Sequence, residues 1–366
     1  MYTVYKDEKG IAESTVAALF TTGFVTAGIT ASFVGSLADQ YGRKNACLSF
    51  CLTNTLSCIS VLSNDTLVLF AGRALGGLST TLLYSVFETW MISEYHKRAL
   101  SDSLALGNMF SLSVTLSGVV AIFAGLAGEG LVAYTDTKTA PFMAAIICLI
   151  GAFVAMQRQW AENYGETTSE KTQSVESSRS ILADSRLVAL GLTTTMFEGS
   201  MYLFVFFWAP ALISARSFSN NNSSTPFGLI FSCFMCAMML GSLVFSHIKP
   251  ESTRDAAGLM LIILSLASYA LLIPTLQRSE TVTFWSFALF ELCVGLYFPT
   301  MSRLKSDIVE DGVRAKLYGL MRLPLNMFVV TALSVTKDGD AHRARIFTAT
   351  GALFLSAFWI VHRYLS

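Results

Sequence analysis

Long apolar runs, separated by short polar turns, fill most of the chain. Segments of about 17–25 predominantly apolar residues are long enough to cross a bilayer as α-helices. By that criterion the sequence predicts eleven membrane-spanning helices, and therefore an all-α membrane protein. Their expected ranges are 11–34, 45–62, 67–92, 104–127, 140–156, 187–213, 227–247, 256–276, 282–301, 313–335 and 345–361.

A polar stretch rich in Ser, Thr, Glu and Lys interrupts the apolar runs at residues 157–185. This composition is typical of a flexible linker, and we expect the linker to be cytoplasmic. It would divide the chain into an N-terminal bundle of five spans, residues 1–156, and a C-terminal bundle of six spans, residues 186–366. The sequence therefore predicts two helical bundles joined by a linker.

Composition excludes several classes of protein. Of the 366 residues, 53% are hydrophobic and only 14% are charged, whereas soluble domains carry about 25% charged residues. The 25 cations and 25 anions balance, so nothing suggests attraction to nucleic acid. The sequence shows no nucleotide-binding loop, no metal-ligand cluster and no nucleophile–base pair. We predict a protein that is not an enzyme and holds no cofactor or metal.

The charged loops predict an orientation. Cytoplasmic loops of membrane proteins collect Lys and Arg, and Arg43 and Lys44 are adjacent in the loop at residues 35–44. With this loop inside, most of the other cations outside the spans also fall inside. Overlapping glycosylation sequons begin at Asn221 and Asn222, in a loop that this orientation places outside.

The same loop, GSLADQYGRK, resembles the loop between transmembrane helices 2 and 3 of the major facilitator superfamily. The matching residues include Gly35, Asp39, Gly42, Arg43 and Lys44, whereas Gln40 departs from the usual cation. The resemblance implies two pseudo-symmetric six-helix bundles, so the first of twelve helices is expected to be missing from this sequence. It also implies that Asp39 and Arg43 contact the neighbouring half and hold one conformational state. An acid is favoured near a helix N-terminus, which is where we expect Asp39.

Ionisable groups inside spans are costly and are therefore functional candidates. Arg73 is followed on the same helical face by Gly77 and Thr80. This R-x-x-x-G pattern resembles a second motif of the superfamily, tied there to substrate or ion coupling. The small residues favour a helix–helix face for Arg73. The alternative is an arginine that extends to the outer membrane surface.

Three ionisable residues lie within spans of the second half. Glu198 precedes Tyr202 by one helical turn, Glu291 lies near the centre of its span, and Arg322 comes two residues before Pro324. Two carboxyls at mid-membrane fit proton coupling, or one of them could pair with Arg322. An internal ion pair that only locks helices together is the open alternative.

Residues 71–90, 160–165, 196–210, 228–242 and 291–302 resemble the eukaryotic molybdate carriers of this superfamily. The resemblance implies uptake of molybdate by alternating access, at the plasma membrane. A desolvated dianion needs fixed cations and hydrogen-bond donors, and sulfate has nearly the same shape and charge. The alternatives are a carrier of a sugar or another organic solute, and a non-transporting receptor on the same fold. The predicted substrate-binding residues are Arg73, Thr80, Glu198, Tyr202, Glu291 and Arg322.

Overall fold

The computed structural model describes residues 1–31, 33–98, 106–165, 184–218, 225–309, 314–336 and 339–365. A π-helical turn, Val4–Glu8, comes first, and all other regular structure in these ranges is α-helical. The helices are α1 Glu13–Ala31, α2 Val34–Tyr41, α3 Arg43–Ser60, α4 Thr66–Lys97, α5 Leu106–Thr135, α6 Ala140–Gln159, α7 Ser185–Phe218, α8 Phe227–Ile248, α9 Thr253–Leu276, α10 Glu280–Ile308, α11 Arg314–Ser334 and α12 Asp340–Tyr364.

The prediction of an all-α membrane protein is confirmed, because each of the eleven predicted ranges coincides with a helix. Among the described residues, nine helices are long and apolar enough to cross a membrane: α1, α4 to α10 and α12. Of the eleven predicted spans, the one at α3 does not meet this criterion, and the described apolar stretch of the one at α11 is Pro324–Ser334. Both carry cations in their first turn.

The predicted turn at residues 35–44 is much shorter in the structure. The helix α2 continues to Tyr41 and α3 begins at Arg43, so only Gly42 separates them. No glycine or proline interrupts the chain from Ser36 to Tyr41, whereas Gly42 has φ +106°, which favours glycine. The expectation that Asp39 lies near a helix N-terminus is therefore wrong, because Asp39 is in the last turn of α2.

The chain divides into two compact units. Unit 1 comprises Met1–Val119 and Ala127–Glu170, and unit 2 comprises Val120–Leu126 and Lys171–Ser366. In unit 1, α4 packs against α1 and α3, and α6 packs against α3. In unit 2, α10 packs against α7, α8 and α9, while α12 packs against α7 and α9.

Part of the predicted linker belongs to these elements. The helix α6 runs to Gln159, so helical structure extends into the stretch that was expected to be a linker. Residues 160–165 follow without regular structure, and α7 begins at Ser185. The remainder, residues 166–183, and the sequons at Asn221 and Asn222 lie outside the described residues.

Close helix crossings depend on glycine in both units. A Cβ on Gly77 of α4 would lie 2.3 Å from the Gly23 carbonyl oxygen of α1. A Cβ on Gly295 of α10 would lie 1.9 Å from the Met238 carbonyl oxygen of α8. Both distances are far below van der Waals contact, so the backbones of these helix pairs touch only because a side chain is missing.

Candidate functional site

In unit 1, Arg73 lies on α4 and faces α1. Its Nε donates to the Leu19 carbonyl oxygen at 3.4 Å, and its guanidinium carbon lies 4.9 Å from the centroid of the Phe20 ring. A Cβ on Gly23, one turn further along α1, would lie 3.0 Å from Nη2. The guanidinium is thus held against α1, with its face on an aromatic ring.

The charge of Arg73 has no acidic partner in the part of the chain that the structure describes. No carboxylate lies within 4.0 Å of its guanidinium there, and the side chain is half-buried. Thr80, predicted as a hydrogen-bond donor to substrate, is exposed and donates to the Gly76 carbonyl oxygen of its own helix at 2.8 Å. Arg73 is therefore a half-buried cation without an ion-pair partner among the described residues.

In unit 2, Glu198 is half-buried on α7 and accepts a hydrogen bond from the Tyr297 hydroxyl of α10 at 3.3 Å. The Tyr297 ring stacks on Phe197 with centroids 3.8 Å apart, which fixes the hydroxyl beside Glu198. Tyr202 lies one turn beyond Glu198 and is half-buried. Tyr297 is therefore a hydrogen-bond partner of Glu198 that the sequence did not indicate.

Glu291 is buried on α10, with 8% of its surface exposed. Within the described ranges it has no ion pair. The backbone of Arg322 lies in α11, but its side chain is outside the described residues. A pairing of Arg322 with either acid thus stays a prediction. No group of three His, Cys, Asp or Glu side chains could hold a metal ion in the residues described.

The loop motif forms a compact network at the start of α3. Arg43 Nε donates to Asp39 Oδ1 at 2.7 Å across the turn at Gly42, and Arg43 Nη1 donates to the Thr89 carbonyl oxygen at 3.4 Å. Lys44 Nζ donates to the Gln157 carbonyl oxygen at the end of α6, at 3.1 Å. The motif therefore ties α2, α3, α4 and α6 together within unit 1.

Glu162 completes this network, and the sequence reasoning did not single it out. Its two carboxylate oxygens accept hydrogen bonds from the backbone N–H groups of Lys44, at 2.8 Å, and Asn45, at 3.3 Å. These N–H groups belong to the first turn of α3, where a carboxylate satisfies donors and favours the helix dipole. A Cβ on Gly42 would lie 2.5 Å from Glu162 Cδ, so this cap needs glycine there.

Residues 160–165, which we call the clasp, hold Glu162 in place. The backbone N–H of Arg43 donates to the Asn163 carbonyl oxygen at 3.0 Å, and that of Gly165 donates to the Asp39 carbonyl oxygen at 3.1 Å. Trp160 stacks on Trp90 of α4, with ring centroids 3.7 Å apart. The predicted contact of Asp39 and Arg43 with the neighbouring half stays a prediction, since all of these contacts lie in unit 1.

Gly35 is the member of the motif that the network does not use. It is exposed, and a Cβ built there would meet nothing within 4 Å.

We expect Glu162→Ala to destabilise the protein by about 1–2 kcal/mol, because it leaves two N–H groups of α3 uncapped. The melting temperature of the purified protein should fall by about 2–4 °C per kcal/mol. Glu88→Ala, at an exposed position near the end of α4, is the control and should leave the melting temperature unchanged. Equal melting temperatures for the two variants would show that the Glu162 cap does not stabilise the protein.

The fold of the chain is similar to that of solved membrane transporters. Two solved structures share the fold over 100% of the chain, each at 12% sequence identity. One is a single-residue mutant of the nucleoside transporter NupG, with a TM-score of 0.74 and 94% of that chain covered. The other is a D-xylose–proton symporter, with a TM-score of 0.71 and 91% of that chain covered. At this identity the likeness concerns the fold alone.

Sequence relatives agree with the structural likeness. The molybdate-anion transporter of Xenopus laevis is 30% identical to the chain, and the match covers 90% of the chain and 72% of that protein. The molybdate-anion transporter of Danio rerio is also 30% identical, and the match covers 91% of the chain and 74% of that protein. A family model described as sugar transporters with 12 transmembrane segments matches residues 1–289. The chain is thus a multi-pass membrane protein and a transporter by family rather than an enzyme, and it belongs to this family, MFS_5, of the major facilitator superfamily.

Proposed function

We propose that the chain carries molybdate, or a closely similar tetrahedral oxyanion, across a membrane by alternating access. The observation that supports this most is Arg73, a half-buried cation with no carboxylate in ion-pair distance among the described residues. A cation removed from water is costly unless an opposite charge compensates it. A dianionic substrate would supply that charge, and the relatives named above are molybdate-anion transporters.

The geometry around Arg73 suits an oxyanion. Phe20 covers one face of the guanidinium and Nε donates to the Leu19 carbonyl oxygen, so Nη1 and Nη2 are the donors that we propose for the substrate. A guanidinium edge presents parallel donors that match two oxygens of an oxyanion at once. A neutral sugar would gain much less from this charge. Arg322 is our proposed second cation, on the ground of its position within a span.

We also propose that Glu198 or Glu291 carries a coupling proton. A buried carboxyl is far less costly when it is neutral than when it is charged, so a change in its surroundings can drive proton uptake or release. Glu291 is buried, and Glu198 accepts from Tyr297 next to a second tyrosine, Tyr202. The plasma membrane is the proposed site of action.

A second candidate is a carrier for a sugar or another neutral solute, favoured by the description of the family. A receptor that binds without transport is the third possibility. The three differ in what crosses the membrane, so a flux measurement separates them.

The test is uptake of labelled molybdate into liposomes that contain the purified full chain. We expect saturable uptake that unlabelled molybdate abolishes, sulfate reduces and D-xylose leaves unchanged. An imposed pH gradient should change the initial rate if a proton is coupled. Uptake no greater than that of empty liposomes, or uptake of D-xylose in place of molybdate, would contradict the proposal.

A further inference from the structure

We propose that Tyr5 is a second ligand-binding residue at Arg73, and that residues 1–10, which we call the leading segment, hold its hydroxyl there. In this site the hydroxyl donates a hydrogen bond to an oxygen of the same anion that Arg73 binds. This inference rests on the proposed function, and it adds a residue from outside the motifs that the sequence presents.

The side chain of Tyr5 is completely buried, although it lies in a short π-helical turn before the first long helix. Its hydroxyl has no hydrogen-bond partner among the described residues. Buried hydroxyl groups in folded proteins nearly always have a partner. A buried tyrosine that donates to nothing is therefore better explained by a ligand than by packing, for which phenylalanine would suffice.

The leading segment reaches Arg73 directly. Nη1 of Arg73 lies 3.6 Å from Met1 Sδ, and the backbone N–H of Tyr5 donates to the Met1 carbonyl oxygen at 3.1 Å. Tyr5 is thus one turn away from the residue whose side chain meets the guanidinium, and no carboxylate lies within 4.0 Å of Arg73 in the described chain. A guanidinium only donates, and the hydroxyl has a proton to donate. A group that satisfies both must offer several acceptor oxygens and negative charge, which is the chemistry of a tetrahedral oxyanion.

Three charged residues of the leading segment, Asp7, Glu8 and Lys9, contact other parts of unit 1. Lys9 Nζ donates to the Ser63 carbonyl oxygen at 2.7 Å and to Asn64 Oδ1 at 2.9 Å, in the turn after α3. Lys138, in the turn after α5, pairs through Nζ with Asp7 Oδ2 at 2.5 Å, and its backbone N–H donates to a carboxylate oxygen of Glu8. Both turns lie on the side that the charged loops predict to be outside. Residues 1–10 thus approach Arg73 from that side.

The anchors explain how a short segment can hold a buried hydroxyl. Single exposed ion pairs contribute little, but contacts on two different turns restrain both the position and the direction of the segment. Loss of the Lys138 contacts should therefore weaken the anion site indirectly, through the position of Tyr5.

Calorimetric titration of the purified full chain with molybdate, and separately with sulfate, tests the proposal. Tyr5→Phe removes only the hydroxyl, and we expect a Kd about tenfold weaker for both anions, as for loss of one hydrogen bond to a charged group. Tyr134→Phe, at an exposed position on α5, is the matched control and should bind as the wild type does. Lys138→Ala should give a smaller weakening in the same direction.

The outcomes separate this inference from the proposed function. If the wild-type chain binds neither molybdate nor sulfate, both the proposed function and the role of Tyr5 are contradicted. A wild-type chain that binds, together with a Tyr5→Phe variant whose Kd is within twofold of it, would overturn the role of Tyr5 alone.

A measurement on the wild type covers the case in which Tyr5→Phe does not fold. Hydrogen exchange of residues 1–10 should slow in saturating molybdate, and this slowing should be absent in Arg73→Gln. Unchanged exchange in a wild-type protein that binds molybdate would overturn the inference.

Discussion

Replacement of Arg73 by glutamine should reduce molybdate uptake at least about thirtyfold. The variant keeps a polar side chain, although a shorter one, and removes the charge and the parallel donors. Truncation of one partner of a buried charge pair costs about 2–5 kcal/mol, and each 1.4 kcal/mol is a factor of ten. Initial rates of labelled uptake, normalised to the protein present in the membrane, measure the loss.

Two further variants show whether the loss of uptake in Arg73→Gln comes from the charge and shape of this side chain. Arg73→Lys keeps the charge without the planar fork, so we expect intermediate uptake. Arg158→Gln, an exposed arginine near the end of α6, should transport at the wild-type rate. If Arg73→Gln took up molybdate as fast as Arg158→Gln, Arg73 would not contact the substrate.

Gly295→Val should abolish the folded protein, the largest effect on stability that we expect for a single substitution. Its Cβ would lie 1.9 Å from the Met238 carbonyl oxygen and 3.1 Å from Met238 Cα, and backbone atoms cannot rotate away as a side chain can. Overpacking of a core typically costs about 1–3 kcal/mol and occasionally more. Here α8 and α10 must separate, and the hydrogen bond from Ser242 Oγ to the Gly295 carbonyl oxygen, at 3.1 Å, is strained or lost.

Size-exclusion chromatography in mild detergent measures this effect as the loss of the monodisperse peak. Gly258→Val is the matched control, because a Cβ on Gly258 of α9 meets nothing within 4 Å. It makes the same change of residue inside a helix and should elute as the wild type does. A normal peak for Gly295→Val would mean that α8 and α10 do not cross as closely as described.

The sequence predicts the helices well because each one is long and apolar, and spanning length is a property of a single segment. It also indicates the face of Arg73, since Gly77 follows one turn later and small residues mark helix contacts. It does not predict the contact of the clasp with α3, because Glu162 is 118 residues from Lys44 and no spacing rule joins them.

Two other features depend on geometry that the sequence does not contain. The hydrogen bond from Tyr297 to Glu198 depends on the rotation of both α7 and α10 about their axes. The contact of the leading segment with Arg73 depends on anchors at Lys9 and Lys138, which single-segment patterns do not relate. The sequence does not indicate the extent of α2, because charged and polar residues between apolar runs predict a turn, whereas Gly42 is the only residue between α2 and α3.

The stacked indoles of Trp90 and Trp160 give the protein its own optical reporter. The chain has five tryptophans, and the transitions of two indoles whose centroids lie 3.7 Å apart are expected to couple and to contribute to the circular dichroism spectrum. That contribution requires Trp160 to lie against Trp90. Its amplitude would therefore report, without a label, whether residues 160–165 stay packed on α4.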